Sequence, residues 1–175
     1  MKILVLNGSP RKNGNTQAMC NAFYEEAIKA GHEVHMIRVT EKKIAGCLAC
    51  EYCHTKGNGH CIQKDDMQEI YPLMEEMEML VIASPIYYYS YSGQMQCTLN
   101  RIYALDKPKK LKKTALMLAA GDANAFEGAI FAYHGNFTGY LKTEDMGIFT
   151  VSSQNKNLEA ELVKIKAMVA ALKDE

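Results

Sequence analysis

The sequence predicts an α/β domain in which a doubly wound sheet of five parallel strands carries helices on both faces. Three observations lead there. Short apolar runs at residues 3–6, 79–85 and 114–120 read as strands buried on both sides. Longer segments between them place apolar residues every three or four positions, the helical period. This alternation occurs five times with no internal repeat, low-complexity segment or linker, so residues 1–175 are read as one domain.

Each element has its own local reason. Ile3-Leu4-Val5-Leu6 is the first strand, and the helix after it has Met19, Ala22, Phe23 and Ala27 on one side. Residues 32–39 alternate polar and apolar, as a half-buried strand near a sheet edge does. A cysteine-rich loop spans 47–61. Asp65-Asp66 marks a helix start, carrying Met67, Ile70, Leu73 and Met74, with Pro72 expected to bend or divide the helix. Residues 79–85 form a central strand, 86–92 an aromatic loop, and 93–105 a helix with Met95, Leu99 and Ile102 inward. Residues 107–113 read as an exposed basic connection with five lysines. A strand at 114–120 stops at Gly121-Asp122, a helix is expected over 126–141, and 147–152 is the last strand. Leu158, Leu162, Ile165, Val169 and Leu172 give the closing amphipathic helix.

Composition narrows the function. A 48% hydrophobic and 23% charged content is that of an ordinary globular protein. The formal net charge of zero argues against a nucleic-acid partner. No apolar run approaches the ~18 residues of a membrane span, so no membrane association is expected. Met1-Lys2 leads directly into a strand without a signal-peptide pattern, so the expected location is cytoplasmic. There, six cysteines serve as thiols or metal ligands rather than structural disulfides.

Gly8-Ser9-Pro10-Arg11-Lys12-Asn13-Gly14-Asn15-Thr16 reads as an anion cradle at a strand–loop–helix junction. Its small residues let the backbone approach an anion, and the helix behind it presents unpaired N–H groups at the positive end of its dipole. Arg11 and Lys12 add charge, and Ser9, Asn15 and Thr16 add donors. An NTPase loop has four residues between its glycines and then Lys-Ser/Thr. Here five residues separate Gly8 from Gly14, and Asn15 stands in the lysine position. The dinucleotide fingerprint G-x-G-x-x-G is absent as well. A terminal monophosphate remains, and flavin mononucleotide (FMN) fits it; a capped helix start with a polar loop is the other reading.

Pro85-Ile86-Tyr87-Tyr88-Tyr89-Ser90-Tyr91-Ser92-Gly93 sets four tyrosines in five positions. Their flat faces suit stacking on an isoalloxazine ring, or equally a patch buried between subunits. Doubly wound sheets bind ligands at the carboxyl ends of their strands, where the strand order switches. The cradle, the aromatic loop and the Ala119-Ala120-Gly121-Asp122 turn are therefore expected to converge, which adds Gly121 and Asp122 to the cofactor-binding set. Cys47-x2-Cys50-x2-Cys53-x7-Cys61 suits a sulfur-ligated metal, either an iron–sulfur cluster or zinc, with unligated thiols as the remaining reading. Cys20 and Cys97 fall on helices and read as small core residues.

The Gly8-to-Thr16 loop, Ser84-Pro85-Ile86-Tyr87 and the Gly93-Gln94-Met95 helix start together resemble the NAD(P)H-dependent FMN reductase branch of the flavodoxin-like flavoproteins. The resemblance implies a flavodoxin-like fold with strand order 2-1-3-4-5, bound FMN, and a homodimer or homotetramer. It implies that Ser9, Arg11, Asn13, Asn15 and Thr16 hold the phosphate and that Pro85, Ile86, Tyr87, Tyr88 and Tyr89 face the ring. Asn100-Arg101 departs from the Asp-Arg usual in that family, which bears on packing or assembly. The four-cysteine loop, followed by Asp65-Asp66-Met67, is similar to the motif of the iron–sulfur flavoproteins, where thiolates hold a [4Fe–4S] cluster that passes electrons to FMN. Two functions are thereby expected. One is an FMN-dependent oxidoreductase that takes hydride from NAD(P)H and reduces a small-molecule electron acceptor such as a quinone, free flavin, azo or nitro compound. The other is an electron carrier whose cluster is fed by ferredoxin. A flavin- or zinc-binding regulatory module is a third expectation. The hard chemistry belongs to the cofactor, and no side chain is named catalytic.

Overall fold

In the computed structural model, which describes residues 1–172, β1 (Lys2–Asn7), β3 (Met79–Tyr87) and β5 (Lys113–Ala120) form the middle of a parallel sheet. β2 (Glu33–Arg38) and β6 (Glu144–Ser152) flank them, in the order β2-β1-β3-β5-β6. A two-residue strand, β4 (Ser90–Tyr91), only folds back antiparallel on the end of β3. With β4 left out of the count, the order is the expected 2-1-3-4-5.

The central strands are apolar over most of their length because both faces are covered. Successive side chains point to opposite sides, so β1 gives Leu4 and Leu6 to one core and Ile3 and Val5 to the other. The first core is closed by α3 (Met67–Glu76), α4 (Gly93–Arg101) and α5 (Glu127–Tyr133) through Met67, Ile70, Met74, Met95 and Tyr133. The second is closed by α1 (Asn15–Lys29) and α6 (Leu158–Ala170) through Met19, Phe23, Ile165 and Val169. No helix among the described residues is long and apolar enough to cross a membrane.

Four local expectations change. Pro72 does not divide α3, because buried Ile70, Tyr71 and Met74 on either side of it keep one continuous helix on the sheet. The helix expected over 126–141 is α-helical only to Tyr133, and His134–Tyr140 is a wider π-helical stretch. Tyr133 and Phe137, one on each side of that junction, both face the core, with ring centroids 5.7 Å apart. Lys113 is not part of an exposed connection: it opens β5, is 6% exposed, and pairs at 3.1 Å with Glu144, its register partner on β6. The aromatic loop is largely a hairpin. β3 runs on to Tyr87, the two turn residues Tyr88 and Tyr89 take positive φ of 50° and 63°, and β4 returns.

Candidate cofactor site

The chain leaves β1 through Gly8, whose N–H donates to the Ala83 carbonyl of β3 at 2.8 Å. Ser9 is buried; its N–H donates to Asn7 Oδ1 (2.9 Å), and its Oγ accepts from the Arg11 N–H (3.2 Å). Its carbonyl oxygen accepts from Arg38 Nη2 (3.1 Å) and Thr40 Oγ1 (3.2 Å), so the loop's acceptor is occupied at the end of β2. α1 then starts with Gly14 as its N-cap, which has no side chain to cap the first turn. The first-turn N–H groups are thereby left for an external acceptor at the positive end of the helix.

Ser92 joins this loop to the aromatic hairpin. Its Oγ donates to the Gly8 carbonyl (2.8 Å) and accepts from the Met95 N–H at the start of α4 (3.4 Å). Its own N–H donates to Ser84 Oγ (3.0 Å). The approach is close enough to require glycine: a Cβ on Gly8 would lie 2.7 Å from Ser92 Oγ and 3.0 Å from Met95 Cβ. The hairpin tip is packed in the same way, since a Cβ on Gly128 would lie 2.5 Å from the Tyr89 carbonyl oxygen. Tyr91 is core rather than surface. Its hydroxyl donates to the Ala129 carbonyl at 2.7 Å, and burial pushes its pKa well up.

Between these loops lies a cavity of about 250 Å³. Ser9, Arg11, Asn15 and Thr16 line one end, Pro85, Ile86 and Tyr87 another wall, and Gly121 the third. The carboxyl-end loops of β1, β3 and β5 thus meet as the strand alternation predicts. Four of the predicted positions do not line the cavity. Asn13 is exposed on the loop, Tyr88 and Tyr89 stand exposed at the hairpin tip, and Asp122 Oδ1 accepts from the Asn124 N–H (2.8 Å) within its own turn. The cavity also takes in Gly14, Ala119, Ala120 and Ser153. Ser153 follows β6, and the rule of carboxyl-end loops, extended to the fifth strand, would have found it. A cation and free helix N–H groups at one end, with flat apolar and aromatic surface beside them, suit a ligand with an anionic end and a planar body.

The cysteine loop begins after a 3₁₀ turn, Val39–Glu41, and its two ends are tied together at the base. Asp65 Oδ2 accepts from the Ala45 N–H (3.0 Å), Asp66 Oδ2 from the Lys43 N–H (2.7 Å), and the Gly46 carbonyl from Gln63 Nε2 (3.1 Å). Cys47, Cys50, Cys53 and Cys61 all line one narrow cleft, with Tyr71, Arg101 and Tyr103 on its walls. None is in a disulfide; Cys53 is buried, Cys61 half-buried, and Cys47 and Cys50 exposed. Burial pushes the Cys53 thiol up. Among the described residues, no three of His, Cys, Asp or Glu are grouped as ligands of a single metal ion. A cluster, which interposes its own irons and sulfides, holds its thiolates farther apart than one ion does. Neither nearby histidine lines the cleft. His54, on α2 (Tyr52–Thr55), has Nε2 2.9 Å from the Tyr103 carbonyl, and His60 is exposed. Cys20 is fully buried in the other core, its thiol pushed up to about 12, as an inert residue there should be.

Arg101 holds this region to α4. Its Nη1 donates to Asp65 Oδ2 (2.6 Å) and the Ala45 carbonyl (3.0 Å), and its Nη2 to Asp65 Oδ1 (3.1 Å). Burial raises the Asp65 pKa, but Arg101 and the Ala45 and Met67 N–H groups outweigh it and hold the carboxyl below its ordinary value. A wider groove of about 620 Å³ runs between α4, α5 and the cysteine loop, without the cradle's anion-binding set.

The profile of the family described as NADPH-dependent FMN reductase matches residues 1–157. An iron-sulfur flavoprotein of Archaeoglobus fulgidus is 39% identical over 102 residues, 58% of this chain and 46% of that protein. An iron-sulfur flavoprotein of Methanocaldococcus jannaschii is 36% identical over 128 residues, 71% of this chain and 64% of that one. The chain thus spans roughly half to two thirds of the length of these curated relatives. Among solved structures, an NAD(P)H:quinone oxidoreductase from Methanothermobacter marburgensis superposes with a TM-score of 0.74 at 14% identity, over 100% of this chain and 97% of that one. At that identity the likeness concerns the fold.

Proposed function

The chain belongs to the NADPH-dependent FMN reductase family, and from that membership we propose that it binds FMN and moves electrons from NAD(P)H to a small acceptor, a quinone, free flavin, azo or nitro compound. The observation that carries this is the cavity joining an uncapped helix start and Arg11 to the Pro85-Ile86-Tyr87 wall. FMN, when bound, supplies hydride acceptance and electron release. The chain supplies the grip. Ser9, Arg11, Asn15 and Thr16 hold the phosphate with the first-turn N–H groups of α1, and Asn13 is assigned to the rim. Pro85, Ile86 and Tyr87 carry the ring, while Gly121 lets the backbone come close to it and Asp122 keeps that turn in shape. The homodimer or homotetramer expected of the family gives the exposed Tyr88–Tyr89 tip a partner. The cytoplasm is the proposed location.

The cysteine cleft favours a second reading, an electron carrier in which Cys47, Cys50, Cys53 and Cys61 hold an iron–sulfur cluster that a ferredoxin-like partner reduces. Four unpaired thiols in one cleft are the right donors for it, and the names of the two relatives support it. The cleft is narrow, about 10 Å³, so seating a cluster requires the loop to part.

Anaerobic purification followed by absorption spectroscopy, with iron, sulfide and zinc assays, tests both readings. Flavin bands that NADPH or NADH bleaches, without iron, support the reductase. A broad iron–sulfur shoulder with flavin reduced only by ferredoxin supports the carrier. Failure to take up FMN after reconstitution overturns both.

A further inference from the structure

Arg101 is 1% exposed and forms part of the wall of the cysteine cleft. Both Nη groups are engaged with Asp65 and the Ala45 carbonyl. Its Nε is buried and has no hydrogen-bond partner among the described residues. A buried N–H of a charged group is rarely left unpaired in a native interior, so this one calls for an acceptor. The clamp that ties down the loop base uses only the Nη groups and does not account for Nε. Burial disfavours the charged guanidinium, but Asp65, Tyr71 and Cys61 favour it; Cys61 and Arg101 line the same cleft.

Arg101 lines the cleft beside all four cysteines, whose sulfurs are acceptors when they are ligands. Four thiolates bring four negative charges, more than the two positive charges of a zinc ion balance, and a four-thiolate iron–sulfur centre is anionic for the same reason. Asp65 pairs with Arg101 through the Nη groups, and Asp65 does not line the cleft.

We propose that Arg101 is the positioning and charge-compensating residue of a sulfur-ligated centre in this cleft. Its Nε–H donates to a thiolate or sulfide sulfur, and its fixed charge raises the centre's reduction potential. Hydrogen bonds to sulfur and nearby charge are the established means by which a protein sets such potentials. The proposal rests on the electron-carrier reading of the cysteine loop.

The test uses full-length protein loaded with FMN and reconstituted anaerobically with ferrous iron and sulfide. The cluster's midpoint potential is read by electron paramagnetic resonance during a redox titration. Arg101→Gln with Asp65→Asn replaces the ion pair by an amide pair, leaves no lone buried charge, and is expected to lower the potential. Asp65→Asn alone leaves the guanidinium uncompensated and is expected to raise it. Arg101→Lys keeps the charge and should stay closer to wild type than the double variant. Shifts of opposite sign are what a purely structural role would not give. If the double variant does not fold, by circular dichroism and FMN uptake, Asp65→Asn and Arg101→Lys carry the comparison. Loaded clusters whose potentials do not move, or all move the same way, overturn the proposal. A wild-type protein that takes up FMN but no iron and sulfide overturns the carrier reading and this proposal together, leaving the cradle untouched.

Discussion

Gly8→Ala measures how tightly the anion loop is bound to the aromatic hairpin. The added Cβ would sit 2.7 Å from Ser92 Oγ and 3.0 Å from Met95 Cβ, on well-buried neighbours. Overpacking of that kind costs about 1–3 kcal/mol. Ser92→Ala removes the bond to the Gly8 carbonyl and the acceptor for the Met95 N–H. The lost hydrogen bond and the lost cap together cost about 2 kcal/mol. In the Ser92→Ala background the closest clashing atom is gone, so Gly8→Ala should add less than it does alone. The two changes should fall short of additivity by about 1 kcal/mol, within the range for residues in contact. Urea unfolding of the wild type, both single variants and the double variant gives the four free energies, provided the denaturant slope stays constant. Additive effects, or a Gly8→Ala variant within about 0.5 kcal/mol of wild type, would refute the claim that this contact is sterically closed.

Three further outcomes are expected. The Asp65 carboxyl is held below its ordinary value in the folded protein, so its contribution to stability is complete above the unfolded value of about 3.9 and fades as pH falls through the lower folded one. Urea unfolding from pH 7 to pH 3 should show this loss in the wild type and a smaller one in Arg101→Leu with Asp65→Leu, whereas Arg101→Leu alone should lose about 3–5 kcal/mol at pH 7 by stranding the carboxylate. Cys50→Ser should remove any iron–sulfur absorption and leave the flavin bands; loss of both in the spectrum would make the loop a requirement of the fold. Arg11→Ala with Thr16→Ala should weaken FMN binding at least a hundredfold, as charge-assisted bonds are worth about 1.5–3 kcal/mol each; unchanged affinity in a fluorescence titration would remove the cradle's role.

The sheet was legible because its signal is local. The 3–6, 79–85 and 114–120 runs are apolar at nearly every position, which only strands buried on both faces require. The anion loop was legible because its residue types and its place between strand and helix are both local. The hairpin was not. Its turn is Tyr88-Tyr89 in place of the Asn-Gly that such turns favour, and left-handed conformation costs a non-glycine residue about 1–2 kcal/mol. The conformation is held from outside, by the Tyr91 bond to the Ala129 carbonyl and the close approach of Gly128, contacts some 38 residues away in sequence. Arg101 and Asp65 lie 36 residues apart. Each looks like an ordinary helix or cap residue in isolation, so the closed base of the cysteine loop appears only when the chain is folded. Lys113 misled for a related reason: four neighbouring lysines suggest solvent, while its partner Glu144 comes from another strand.

The central claim is that the loop from Gly8 to Thr16 grips a phosphate. The most direct measurement is the affinity of the flavin-free protein for FMN against riboflavin, followed by quenching of flavin fluorescence. The two ligands share the ring and differ by the phosphate alone. Two or more charge-assisted contacts, at about 1.5–3 kcal/mol each, predict riboflavin binding weaker by a hundredfold or more, with the gap narrowing in Arg11→Ala. Equal affinities for the two flavins would contradict the account and leave the cavity recognising a ring without its phosphate.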